Sequence, residues 1–142
     1  MKYLLFWLSF FLLIKGYAQT PVEWAQLSQV HYVSMVDIRN GNFIDRPRFS
    51  KEIKGLKGES IQIQGYLIPL DVEGNAYALS RYPYSACFFC GGAGPESVMD
   101  VHFTEPYKSR DLNEVVTLQG TLELNDEGYG LIYLLSKAEL SK

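Results

Sequence analysis

The sequence predicts an all-β protein, a small five-stranded barrel that is curled or partly open and follows a short N-terminal extension. Five segments between residues 58 and 135 have the apolar and β-branched residues of strands, with turn residues between them. Two of these segments have a glycine near the middle, which is typical of a strand that bends. The 142 residues suffice for one domain. We divide them into an N-terminal segment (1–18), an extension and connector (19–57) and the β-barrel domain (58–142).

Residues 1–18 have the pattern of a cleavable signal peptide. Lys2 precedes an apolar run over residues 4–14 that only one serine interrupts. Gly16 and Ala18 place small residues where a signal peptidase reads, so we expect cleavage after Ala18. A membrane anchor is the alternative, but the run is shorter than the about 20 residues that span a bilayer. We therefore predict a periplasmic or secreted protein with no membrane anchor of its own after cleavage.

The charge balance argues against two classes of partner. The formal net charge is −3, and loss of Lys2 and Lys15 with the signal peptide would lower it to −5. An acidic protein is repelled by phosphate backbones and by anionic lipids. We therefore expect neither nucleic acid nor an anionic membrane surface as a partner.

The extension over residues 19–57 has few strong signals. Residues 21–27 predict a short helical turn, because proline is tolerated at the first helical position. Residues 29–36 predict a first strand or a connector, and Arg-Asn-Gly-Asn at 39–42 predicts a turn. Residues 43–57 are rich in arginine and lysine, and we expect an irregular, solvated loop there.

The barrel strands follow from alternating apolar and polar side chains. Ile61 and Ile63 alternate with glutamines, as in a strand with one buried face. The predicted strands are Ser60–Leu70, Ala76–Tyr82, Val98–Phe103, Val115–Leu124 and Leu131–Leu135. The predicted core residues are Ile61, Ile63, Val116, Leu118, Leu122 and Leu134. Gly65 and Gly120 interrupt two strands, and five strands of this kind resemble the oligonucleotide/oligosaccharide-binding barrel.

One motif carries chemistry, the pair Cys87 and Cys90, which are the only cysteines in the chain. Cys-x-x-Cys-Gly is the turn of zinc-ribbon sites, and the glycine permits the left-handed conformation that the turn needs. A closed zinc site has four ligands. The best candidates to complete it are Asp100 and His102, which are two residues apart and therefore on one strand face. Reserve ligands are Glu96 and His31. We expect Zn²⁺ at this site, with Cu⁺ as the alternative because thiolates are soft ligands.

Two other interpretations of the cysteine pair stay open. A disulfide is common outside the cytoplasm and could rigidify an aromatic binding loop. A redox pair is less favoured, because thioredoxin-like chemistry needs a cysteine at a helix N-terminus within a βαβ unit. The flanks of Cys87 and Cys90 are strand-like instead. We find neither a Ser-His-Asp arrangement nor a phosphate-binding loop in the sequence, so other enzyme classes are not indicated.

Two motifs resemble those of an uncharacterised family of small exported bacterial domains. The first is Gly-Tyr-Leu-Ile-Pro-Leu at 65–70, and the second is Pro-Tyr-Ser-Ala-Cys at 83–87. The resemblance covers roughly residues 58–135 and implies a barrel domain linked to metal handling and ABC-type transporters. Many members have Cys-x-His and a proline run after this point, whereas this chain has Cys90 and two glycines. Cys90 would then stand in for the histidine ligand.

The sequence therefore predicts an exported, non-enzymatic protein that binds a transition metal through Cys87, Cys90, Asp100 and His102. Its role would be metal delivery or sensing beside a membrane transporter. The alternative is a protein-interaction module whose aromatic loop is held by a Cys87–Cys90 disulfide, and a thiol–disulfide redox protein is the lesser alternative.

Overall fold

The computed structural model describes residues 19–73, 76–109 and 111–141. The predicted signal peptide, residues 1–18, lies outside the described residues. Within the described part of the chain, no helix is both long enough and apolar enough to cross a membrane.

The N-terminal extension forms two short helices and a hairpin. Strand β1 (Thr20–Pro21) leads into helix α1 (Trp24–Leu27), which confirms the predicted helical turn. Strands β2 (Val30–Asp37) and β3 (Asn42–Phe49) form an antiparallel hairpin, and helix α2 (Lys51–Gly55) follows it. The predicted strand over residues 29–36 and the turn at 39–42 are therefore confirmed.

The prediction of an irregular loop over residues 43–57 is wrong, because most of this segment lies in β3 and α2. Strand β3 gains its backbone hydrogen bonds from β2, and its arginines alternate with inward side chains such as buried Phe49. Ser50 caps α2 by accepting a hydrogen bond from the Ile53 N–H. Ile53 is fully buried, so the charged residues form the outer face of regular structure.

Five strands then close the barrel. They are β4 (Ser60–Pro69), β5 (Tyr77–Ser80), β6 (Val98–Phe103), β7 (Glu114–Leu124) and β8 (Tyr133–Leu140). Their order around the sheet is β4-β5-β6-β8-β7, and a β4–β7 ladder closes the circle. Strands β6 and β8 are parallel, and the other neighbouring pairs are antiparallel. The predicted all-β, five-stranded small barrel is confirmed.

The two mid-strand glycines lie where neighbouring backbones come close. A Cβ built on Gly65 would lie 2.7 Å from the Ser80 carbonyl oxygen, and one on Gly120 would lie 2.8 Å from the Ser136 carbonyl oxygen. The β7–β8 register also shifts beside Gly120, as expected for a bulge. Both positions therefore need a residue without a side chain.

The core lies inside the barrel and extends beneath the N-terminal elements. Five of the six predicted core residues are buried, namely Ile61, Ile63, Val116, Leu118 and Leu122. Leu134 is only half-buried, and that prediction is wrong. Strand β8 runs over Tyr133–Leu140, not over Leu131–Leu135, and its inward positions are those of Tyr133 and Leu135. Neighbouring residues of a strand face opposite sides, so an error of one position moves a side chain out of the core.

Two contacts attach the N-terminal extension to the barrel. The Tyr133 hydroxyl donates a buried hydrogen bond of 2.6 Å to the Leu27 carbonyl oxygen. The Trp24 indole N–H donates to the Gln64 carbonyl oxygen at 2.8 Å. The extension thus shares the core of the barrel and fixes the hairpin beside the β5–β6 connection, which carries the cysteines.

Candidate functional site

The cysteines lie in the long connection between β5 and β6, which is wound into short 3₁₀ turns. These turns span Tyr84–Ala86, Phe88–Cys90 and Pro95–Ser97. The Cys87 carbonyl oxygen accepts hydrogen bonds from the N–H groups of Cys90, at 3.2 Å, and Gly92, at 3.1 Å. The backbone therefore folds back around Cys87.

The glycines after Cys90 allow this tight path. Gly91 ends the second turn in the left-handed region, with φ of 72°, as the Cys-x-x-Cys-Gly pattern predicts. A Cβ on Gly92 would lie 2.6 Å from the Ala86 carbonyl oxygen. At Gly92 the requirement is therefore the close approach of two backbone segments.

The two thiols converge on one backbone oxygen. The Sγ atoms of Cys87 and Cys90 each donate to the Tyr84 carbonyl oxygen at 3.1 Å. Cys87 is fully buried, Cys90 is exposed, and both are free thiols. The pair therefore presents one accessible sulfur with a second sulfur beneath it.

The pKa of the Cys90 thiol is raised above its ordinary value. Desolvation contributes most, followed by the charge of a neighbouring Cys87 thiolate and the hydrogen bond between the two side chains. The neutral form of the accessible Cys90 thiol is therefore favoured.

Asp100 and His102 form a second pair, on β6. The His102 Nε2 lies 3.2 Å from the Asp100 Oδ2, which confirms that the two side chains share a strand face. They line a cleft of about 610 Å³ together with the rings of Tyr77, Phe103 and Tyr107. In this cleft the Phe103 and Tyr107 rings stack with centroids 4.9 Å apart.

The reserve ligands lie on different elements. His31 is on β2, opposite Arg48 of β3. The Glu96 carboxylate accepts a hydrogen bond from the Tyr32 hydroxyl at 3.3 Å, which ties the hairpin to the end of the cysteine connection.

The structure thus brings the predicted ligands together as two pairs and not as one set of four. Among the residues that the structure describes, no three or more His, Cys, Asp or Glu side chains are grouped so that they could hold a metal ion. The feature that sequence reasoning missed is the Tyr84 carbonyl oxygen, on which both thiols converge. A backbone acceptor leaves no trace in the residue type, so no sequence signal could have identified it.

Fold and site together define a small closed five-stranded barrel with a dithiol in one surface connection. No family model matches this chain, and no curated protein matches it. Among solved structures, it is similar to the crystal structure of a DUF3299 family protein from Pseudomonas aeruginosa PAO1. That similarity has a TM-score of 0.55 and 17% sequence identity, and it covers 88% of this chain and 97% of the other. The match supports the fold and agrees with the predicted resemblance to an uncharacterised family, whereas the link to metal handling and transporters stays a prediction.

Proposed function

We propose that this is an exported, non-enzymatic protein that binds a thiophilic transition metal ion through Cys87 and Cys90. The observation that supports the proposal is the convergence of both Sγ atoms on the Tyr84 carbonyl oxygen. Two sulfurs that each lie 3.1 Å from one oxygen are near neighbours, and release of their hydrogen bonds to that oxygen would let both ligate one ion. The resemblance to exported domains linked to metal handling and ABC-type transporters is the basis for proposing delivery or sensing of the metal beside a membrane transporter.

The donor set limits the choice of metal. Thiolates suit Zn²⁺ and Cu⁺ among the common biological ions. Two thiolates can satisfy Cu⁺, whereas a structural zinc site takes four ligands. Since Asp100 and His102 are not grouped with the cysteines among the residues that the structure describes, zinc binding here needs ligands beyond the two cysteines.

A metal titration with matched variants tests this proposal. The reduced protein should bind Zn²⁺ or Cu⁺, and the ion should protect the exposed Cys90 thiol from a thiol reagent. Cys90→Ser should lose most of the affinity, because a hydroxyl is a poor ligand for either ion. Ser85→Ala, an exposed change in the same connection, should bind as the parent does. Equal binding by the Cys90→Ser variant would rule out the cysteine site.

The second candidate function is a protein-interaction module with a Cys87–Cys90 disulfide. The exposed side chains of Tyr84 and Phe89 beside the cysteines favour it, because aromatic residues are enriched at interfaces. Thiol counting on protein recovered after export separates the two candidates. Two thiols that react once the protein is unfolded in denaturant favour metal binding, and none favours the disulfide.

A redox role receives less support from the electrostatics. Catalytic thiols have a lowered pKa that supplies thiolate at neutral pH. The pKa of Cys90 is shifted in the opposite direction, with desolvation as the main cause. We therefore retain the non-enzymatic proposal.

Export itself is part of the proposal and has its own test. The mature protein should begin at Gln19, and intact-mass measurement of the exported form would reveal this start. Recovery of a chain that retains Met1 would contradict it.

A further inference from the structure

A cleft at the end of β6 contains the second pair of predicted ligands, Asp100 and His102, which the proposed dithiol site does not use. The segment over residues 100–107 forms most of its wall, and residues beside the end of β4 and the start of β5 complete it. Its volume of about 610 Å³ falls in the range of small-molecule pockets. Neither cysteine lines this cleft, so an occupant would be bound independently of the dithiol.

Three aromatic rings form the apolar wall of the cleft. The Tyr77 ring packs edge-on against Phe103, with centroids 5.6 Å apart, and against Tyr107, with centroids 6.1 Å apart. The Tyr77 hydroxyl also donates a hydrogen bond of 3.2 Å to the Tyr107 carbonyl oxygen. These contacts hold the rings in place without a ligand, so an apolar group could pack against them at little further cost in side-chain entropy.

The polar side of the cleft consists mainly of acceptors. The Asp100 carboxylate accepts a hydrogen bond of 3.0 Å from the Val101 N–H and lies 3.2 Å from the His102 Nε2. A neutral imidazole that donates through Nε2 has an acceptor at Nδ1. Glu105 adds a second carboxylate, which is exposed and has no ion-pair partner in the described part of the chain.

The backbone of the barrel is irregular beside His102. The register between β6 and β8 shifts between Val101 and Phe103, and Lys137, on β8 at this point, has a positive φ of 52°. Bulges are over-represented at barrel rims and next to functional sites, where they change the direction of a side chain. The irregularity thus falls at the residue that supplies the imidazole of the cleft.

The chemistry of the lining selects a class of ligand. Two carboxylates and no Lys or Arg are among the described residues that line the cleft. A ligand with a positive charge and N–H donors would complement them, whereas a carboxylate or phosphate group would be repelled. Aromatic rings attract cations through their faces as well. A neutral sugar would match the rings but would leave both carboxylates without a counter-charge.

We propose that this cleft binds a small organic amine, whose ammonium group contacts the carboxylates of Asp100 and Glu105. The apolar part of the amine would pack against the three rings, and the Nδ1 of His102 would accept a further N–H. Binding involves no covalent step. The proposal is independent of metal binding, because the two sites share no residue.

Calorimetric titration with phenethylammonium and hexylammonium tests the proposal. These probes join an ammonium group to an aromatic or an aliphatic body. At least one of them should bind saturably and in equimolar amount. The alcohol of the same shape should bind at least about tenfold more weakly, because it lacks the charge-assisted hydrogen bonds. Hydrocinnamate, an anion of similar size, should not bind.

Matched variants locate the bound amine. Asp100→Asn and Glu105→Gln preserve side-chain shape and remove one charge each, so each should weaken binding about fivefold. Glu123→Gln removes the same charge from an exposed side chain outside the cleft and should bind as the parent does. Cys90→Ser should also bind the amine normally. In an NMR titration, the amide resonances of residues 100–107 should shift most.

Several results would overturn the proposal. Failure of both amines to bind would do so, as would equal binding of an amine and its alcohol. Equal weakening by Glu105→Gln and Glu123→Gln would show that only the overall charge attracts the probe. Tighter binding of a neutral sugar such as methyl glucoside would assign the cleft to another class of ligand. None of these results bears on the cysteines, so the proposed function would stand or fall separately.

Discussion

Replacement of Gly65 by alanine should destabilise the barrel, although it adds a single methyl group. The new Cβ would lie 2.7 Å from the Ser80 carbonyl oxygen and 2.9 Å from the Leu79 Cγ. Carbon contacts are optimal at about 3.5–4.0 Å, so both neighbours would have to move. Ser80 belongs to β5, which pairs with β4 at this point, and its carbonyl oxygen cannot retreat without disturbing that pairing.

The expected cost comes from overpacking. Extra methyl groups in a well-packed interior cost about 1–3 kcal/mol, out of a total stability of about 5–15 kcal/mol for a domain. Each kcal/mol lowers the melting temperature of a domain of this size by about 4 °C. Gly65→Ala should therefore melt about 4–12 °C below the parent protein.

Gly55→Ala is the matched control. Gly55 is the last residue of α2, and a Cβ there would have no atom within 4 Å apart from its chain neighbours and the backbone of its own helix. Alanine should be neutral or stabilise by up to about 1 kcal/mol, because it restricts the unfolded chain more than glycine does. Urea denaturation followed by circular dichroism would compare the two variants. Equal stability of Gly65→Ala and Gly55→Ala would refute the argument from close approach.

Three further changes have defined outcomes. Tyr133→Phe leaves the buried Leu27 carbonyl oxygen without its donor, so the free energy of unfolding should fall by about 1–3 kcal/mol. An unchanged denaturation midpoint would contradict this prediction. The Tyr129 hydrogen bond is the main cause of a lowered pKa at Asp37, so Tyr129→Phe should raise that pKa in an NMR titration. With Tyr129 present, the stability that Asp37 contributes is complete above its unfolded-state pKa and is lost as pH falls through the lowered value. Protons compete with metal for the thiols, so zinc affinity should weaken as pH falls and binding should release protons. Calorimetry in buffers of different ionisation enthalpy would detect that release. A zinc affinity that does not change with pH would count against thiolate ligation.

The barrel could be predicted because its strands require particular residue types at particular positions. Alternation at Ile61 and Ile63 reflects a strand with one face in the core. Gly65 and Gly120 reflect the approach of adjacent backbones, which no other residue type permits. Such signals can be identified in a single sequence because each is expressed in the residue type at the position itself, even where its cause is a contact with another strand.

The errors have a common physical cause, which is tertiary context. Strand β3 is rich in charge because it has an exposed face, and its pairing with β2 makes it a strand. Leu134 is as apolar as Leu135, and only the register of β8 decides which of them enters the core. Neither outcome is encoded in the local pattern of apolar residues.

The same distinction between local sequence pattern and tertiary context applies to the candidate site. Spacing identified Cys87 and Cys90, and strand alternation placed Asp100 and His102 on one face. Whether that face meets the cysteines depends on how the connection folds outside the barrel, and the periodicity of β6 carries no information on it.

Cys87 is both a packed residue of the connection between β5 and β6 and one of the two thiols of the candidate site. A fully buried thiol between two 3₁₀ turns helps to fix the path of the backbone, and a small apolar residue could do the same. Alanine at that position would avoid the risk of oxidation that a thiol has outside the cytoplasm, where we propose that this protein acts. The presence of a buried thiol beside exposed Cys90, with both donating to the Tyr84 carbonyl oxygen, therefore favours a role for the two sulfurs as a unit.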